Sequence, residues 1–213
     1  MAADRGFVIA LLGAESTGKT TLAAALRDAL ESEGRRVAVV PEYLREFCDH
    51  HQRTPRPHEQ QSIANEQTRR IEAAARSHSL VIADTTALMI AVYSDQVFGD
   101  TGLYVDAQAA HARCDLTLLT ALDLPWQADG LQRDGPQVRE PVDAKVRAAL
   151  GRAGMAWSVV FGSGEARVHA AMACVQRALA PRQAADGSAA RWHWNCERCG
   201  DANCERQRLL PTR

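Results

Sequence analysis

Lysine is almost missing from this sequence. Lys19 and Lys145 are the only two, and arginine fills the remaining basic positions. In such a chain Lys19 stands where a compact ammonium group is needed and a forked guanidinium would not fit. Net charge is nearly missing too, at −1. That removes bulk charge as a means of holding nucleic acid or an anionic membrane, so neither partner is expected. No apolar run is long enough to cross a bilayer. Met1–Gly6 shows no basic-then-apolar leader pattern, so a cytoplasmic location is expected. Internal repeats are absent. Of six cysteines, Cys48, Cys114 and Cys174 are scattered in apolar or helical contexts and read as small buried hydrophobes. Structural disulfides are not expected in a cytosolic chain.

What is present is enough for a good core: 213 residues, 46% of them apolar. Five short apolar runs read as buried strands: Phe7–Leu12, Arg36–Val40, Leu80–Ala83, Leu116–Ala121 and Trp157–Phe161. Helical patterns lie between them at Thr20–Glu33, His58–Ser77, Pro141–Leu150 and Glu165–Leu179. Strand alternating with helix predicts a parallel α/β sheet with right-handed crossovers. Its ligands belong at the carboxyl ends of the strands. The expected domains are 1–180 for this α/β unit, a Pro/Gly/Ser/Ala linker at 181–190, and a cysteine-containing tail at 191–213.

Gly13-Ala-Glu-Ser-Thr-Gly-Lys-Thr20 fits Gly-x4-Gly-Lys-Ser/Thr, the Walker A pattern, between an apolar strand and a helix. Glycines let the backbone wrap a phosphate, and loop amides with the helix N-terminus present partial positive charge to it. Gly13, Glu15, Ser16, Thr17, Gly18, Lys19, Thr20 and Thr21 are the candidate ATP contacts. Lys19 would reach the β- and γ-phosphates, and the Thr20 hydroxyl would hold Mg²⁺. Asp84 ends the run Leu80-Val-Ile-Ala-Asp, a Walker B arrangement, and would serve the metal or orient the acceptor. It also stands where a helix N-cap would, before Thr85-Thr86 and an apolar helix.

A phosphate loop alone does not separate kinases from ATPases. Acceptor-side candidates follow the other strands. Glu42 could bind acceptor hydroxyls or take the proton of the attacking one. Tyr43 could stack on a ring, and Arg45 could clamp charge; the bland reading is a helix start with polar side chains in water. The turn-rich stretch from Asp123 to Arg139 reads as a lid that would bring Arg133 and Arg139 onto transferring phosphate, or as an ordinary surface loop. Trp126 there is either a stacking platform or a packed anchor, and Asp129 is a further substrate-side candidate. Gly162-Ser-Gly164 leaves room for a flat adenine, or is a plain turn.

Four pieces together resemble one family: Gly13-Ala-Glu-Ser-Thr-Gly-Lys-Thr-Thr-Leu22, Glu42-Tyr-x-Arg45, Ala83-Asp-Thr85 and Pro125-Trp-Gln-Ala-Asp-Gly-Leu131. The chain resembles the ribosylnicotinamide-kinase domain of NadR-type proteins and the broader AAA-28-like P-loop ATPase group, over residues 5–180. The resemblance implies a P-loop three-layer sandwich with strand order 2-3-1-4-5. It implies ATP-dependent phosphorylation of the ribose 5′-hydroxyl of nicotinamide riboside, with Lys19, Asp84, Glu42 and Arg133 catalytic. Tyr43 and Trp126 would be ring contacts. The larger family members also carry a nucleotidyltransferase domain with His-x-Gly-His, and sometimes a helix-turn-helix. Neither pattern occurs here, so adenylyl transfer and direct gene regulation are not expected.

The tail is foreign to that kinase core. Cys196, Cys199 and Cys204 with His193 make a possible four-ligand Zn²⁺ set; the alternative is a tail with free thiols. Two further classes stay open for the whole chain: a kinase of another nucleoside or metabolite, and a nucleotide-dependent ATPase that switches a binding surface. The acceptor and the oligomeric state are left open by the sequence.

Overall fold

The computed structural model describes residues 5–127 and 135–186, with side chains followed to residue 180. Five strands form one parallel sheet: β1 (Phe7–Leu12), β2 (Val37–Val40), β3 (Leu80–Asp84), β4 (Leu116–Thr120) and β5 (Ser158–Val160). Their order is β2-β3-β1-β4-β5, as the resemblance implied. The central strand β1 is buried along its whole length. This is why its sequence is a continuous apolar run and not an alternation.

Helices cover both faces. α1 (Lys19–Ser32) buries Leu22, Leu26 and Leu30 along one stripe and packs against β1, β2 and β3. On the other face α3 (Gln60–Ser77) sets Ile71 and Ala75 against Val8, Val81 and Ala83. α4 (Ala87–Phe98) is buried nearly all round, and joins α5 (Tyr104–His111) and α6 (Arg139–Arg152) in the larger core cluster. α2 (Tyr43–His51) adds Phe47 and Cys48 to that cluster. α7 (Gly164–Asp186) follows β5. Among the described residues, no helix is long and apolar enough to cross a membrane.

Most element ends differ slightly from the sequence expectation, and three larger differences have physical reasons. α5 was not expected; it is two turns long and too short to show a clear period. α6 starts at Arg139, ahead of Pro141, because a proline in the first turn lacks only an N–H that has no intrahelical partner there. The helix α7 runs on through Pro181 to Asp186, so the first part of the expected linker is helical backbone.

α5 is fastened by a buried histidine. His111 bridges the Thr86 and Thr117 hydroxyls, at 2.9 Å on each ring nitrogen. Burial pushes its pKa down to about 4. Below pH 6.5 the unfolded chain takes up a proton that the folded chain refuses. Stability should therefore fall as pH drops from 6.5 towards 4, by about 3 kcal/mol in total from this group. Urea unfolding across that range checks this. His111→Gln should flatten the corresponding part of the slope; an unchanged slope would remove His111 as its source.

Candidate active site

The loop from Gly13 to Gly18 sits between β1 and α1 at the carboxyl edge of the sheet. Gly13 has φ 147°, and a Cβ there would lie 2.1 Å from Thr120 Oγ1, so no side chain fits. Gly18 turns into α1 with φ 74°. Ser16 takes the left-handed region as well, at φ 54°. Its hydroxyl accepts a hydrogen bond from the Gln127 amide at 2.8 Å, which ties the loop to the segment after β4. The Thr17 hydroxyl is buried between Ala14 O and Thr120 Oγ1. The Lys19 ammonium donates to Gly13 O at 2.9 Å and Ala14 O at 2.8 Å, lying across its own loop.

Asp84 ends β3 and is 2% exposed. Its Oδ2 accepts from the Thr20 hydroxyl at 2.5 Å, while its Oδ1 is buried with no hydrogen-bond partner. Thr85, next along, is held at φ 73° by a hydrogen bond from its amide to Leu11 O. Such backbone costs energy and collects at functional sites. The cap of α4, the alternative duty for Asp84, is supplied by Thr86, whose hydroxyl accepts from the Leu88 amide. Asp84 is thus free of capping duty. Its orphan oxygen beside the Thr20 hydroxyl suits the hydrated shell of Mg²⁺, a cation that keeps waters and takes few protein ligands. No cluster of three or more His, Cys, Asp or Glu able to hold a metal occurs among the described residues.

A cavity of about 860 Å³ runs from this loop towards α2, α3 and α4. Residues from Glu15 to Thr21 form one wall. Glu42, Leu44, Arg45 and Cys48 come from the start and body of α2, Gln60 from α3, and Tyr93, Val97 and Phe98 from α4. Glu42 is the N-cap residue of α2, makes no side-chain cap bond, and is one of the residues lining the cavity. Burial, reinforced by Asp49 and Glu42, pushes the Cys48 thiol up to about 11, so it lines the cavity as a protonated apolar group.

Not every expected contact is there. The Tyr43 ring lies under the Arg70 guanidinium at 4.3 Å and packs on the core, and Leu44 takes its place on the cavity wall. Leu124, Pro125 and Gln127 line the cavity, but Trp126 between them does not; it is half-buried, with its indole N–H enclosed. Arg139 is the first residue of α6 and is buried. Asp129 and Arg133 of the expected lid lie outside the described residues, as do His193, Cys196, Cys199 and Cys204.

One residue escaped the sequence reading altogether. Arg167, in the first turns of α7, is 4% exposed. It donates to Thr17 O at 2.8 Å, to Gly162 O at 2.6 Å and to Asp123 Oδ1 at 2.9 Å. Asp123 in turn accepts from the Gly162 amide. Burial pushes the Asp123 carboxyl up, but Arg167 and that amide outweigh it and hold it below its ordinary value. One guanidinium so joins the phosphate loop to the loops after β4 and β5. Arg167→Ala should cost about 3 kcal/mol of stability, because it leaves the cluster without its cation. It should also raise the KM for ATP. Urea unfolding and steady-state kinetics check both; a variant with wild-type KM would confine Arg167 to a structural role.

The AAA_28 profile, an AAA domain, matches residues 8–167, from β1 to Arg167. The chain belongs to the AAA_28 family. No curated protein gives a significant match. Among solved structures, this AAA_28 chain is similar to a NadR protein in complex with NR, at 20% identity and TM-score 0.67. That match covers 81% of this chain and 49% of the other. It is similar to NadR in complex with NAD and AMP-PNP, at 19% identity and TM-score 0.64, over 82% of this chain and 50% of that one. It is also similar to deoxyadenosine kinase from M. mycoides, at 13% identity and TM-score 0.57, over 80% and 100% of the two chains. The AAA_28 chain thus spans about half the length of the NadR chains. At these identities the likeness establishes a shared fold.

Proposed function

We propose that this AAA_28 chain is an ATP-dependent small-molecule kinase that phosphorylates the ribose 5′-hydroxyl of nicotinamide riboside, giving nicotinamide mononucleotide. The observation that carries the reading is one cavity lined both by the phosphate loop and by Glu42, Arg45 and apolar residues of α2 and α4. A bare ATPase has no need of the second half. The NadR complex with NR, similar in fold over most of this chain, favours that acceptor over other nucleosides.

The triphosphate would lie along Gly13–Thr20, with loop amides on its oxygens and Lys19 moved from the Gly13 and Ala14 carbonyls onto the β- and γ-phosphates. Bound Mg²⁺, held by Thr20 and Asp84, would neutralise charge on the phosphates. The acceptor hydroxyl attacks the γ-phosphorus in line. A P–O bond to the acceptor forms, the bond to the departing ADP breaks, and Glu42 takes the hydroxyl proton. Walls on both sides of the cavity hold the reactants together, and positioning supplies most of the acceleration.

An acceptor screen following ADP release tests this, with nicotinamide riboside beside adenosine, cytidine and simple sugars. Release stimulated by nicotinamide riboside supports the reading. Stimulation by another nucleoside alone replaces the acceptor. Release at one rate with and without any acceptor replaces the kinase by a nucleotide-dependent ATPase.

A further inference from the structure

Two glutamines of α3 lie two turns apart and are treated differently by the fold. The Gln67 amide is fully used: Oε1 accepts from the Tyr43 amide at 2.7 Å, and Nε2 donates to Pro41 O and Thr85 O. Gln60, the first residue of α3, lines the cavity on its acceptor side. It is 4% exposed, and its Oε1 has no hydrogen-bond partner. A buried amide oxygen without a donor is costly, and few persist without a reason. A bound molecule that brings the missing donor is such a reason.

The neighbours say what kind of molecule. Leu44, Tyr93 and Phe98 line the same cavity and give it an apolar wall, and Phe98 is 39% exposed. A flat ring fits against such a wall, and its polar edge would then meet Gln60, whose amide oxygen is, among the described residues, the one buried uncharged acceptor of the cavity lining that lacks a partner.

We propose that Gln60 is the specificity-determining residue of the acceptor pocket: its side-chain carbonyl accepts a hydrogen bond from an N–H borne by the acceptor's ring. A carboxamide or an exocyclic amino group supplies one. A ring with a carboxylate, or with hydrogen, at that place does not. The inference rests on the reading that this half of the cavity takes the acceptor. It deepens that reading by naming the group that is recognised.

The test uses two matched pairs of acceptors with the full chain: nicotinamide riboside against nicotinic acid riboside, and adenosine against purine riboside. The second member of each pair lacks the N–H. For the pair that is turned over, kcat/KM should favour the N–H-bearing member by ~10²-fold, since a site built to pair with a donor rejects the analogue without one. Gln60→Leu should bring the two members within a few-fold of each other, chiefly by loss on the N–H-bearing one, with the KM for ATP unchanged. Gln60→Glu keeps an acceptor oxygen and adds a charge. It should retain turnover of nicotinamide riboside and weaken nicotinic acid riboside further.

No preference in the wild type, or a preference that survives Gln60→Leu, overturns the proposal. Turnover of the adenosine pair alone, with the Gln60 effect intact, refutes nicotinamide riboside as acceptor and leaves the role of Gln60 standing. Turnover of neither pair refutes both.

Discussion

Lys19→Ala should lower kcat for phosphoryl transfer by ~10³-fold while the protein stays folded. The ammonium is, among the described residues, the one cation on the phosphate-loop wall of the cavity. Among the described residues its bonds to the Gly13 and Ala14 carbonyls, at 2.9 Å and 2.8 Å, put it over the hollow that a triphosphate would fill. Those bonds are part-buried and made by a charged donor, so losing them should cost about 2 kcal/mol. The melting temperature should therefore fall by several degrees while the protein remains folded at assay temperature. Lys19→Arg should not restore turnover, because the planar fork needs more room than a loop closed by Gly13 and Gly18 allows. Single-turnover rates and melting curves on both variants decide the matter. Wild-type turnover by the alanine variant would exclude the phosphate loop from the chemistry.

Asp84→Asn should lower kcat by ~10²-fold and shift half-saturation by Mg²⁺ to higher concentration. The carboxylate is 2% exposed, yet one of its oxygens has no hydrogen-bond partner. A buried, half-satisfied charge works against folding, so the asparagine variant should melt at the same temperature as the wild type or a few degrees higher. A loss of activity with no loss of stability separates a group kept for a ligand from one kept for the fold. Rate measured against Mg²⁺ concentration, beside calorimetric melting, provides both numbers. Equal activity and equal Mg²⁺ dependence would assign Asp84 to structure alone.

The phosphate loop was readable because its demands are local. Gly13 must lack a Cβ, Gly18 must take positive φ, and both follow a run buried as β1 and precede a helix at fixed spacing. Strand order was readable only through family resemblance, since order depends on crossovers and not on any one segment. Tyr43 shows where local reading stops. Its position after β2 suited a ring contact, but Arg70, far along the chain on α3, covers the ring. Arg167 shows the same limit from the other side. It lies 150 residues from Thr17, on a helix whose composition singles out no position, and only the folded chain brings them to 2.8 Å. Gln60 and Gln67 are indistinguishable in sequence; what separates them is whether the fold supplies partners.

The Arg167 tie bears on how the site would respond to change. The phosphate end and the Gly162 turn hang from one guanidinium, so neither can shift far by itself. A change in either loop is then felt in both, and nucleotide selectivity and turnover should drift together when this region diversifies. A designer wishing to alter the preferred nucleotide would have to rebuild three loops at once, or first cut the knot that holds them.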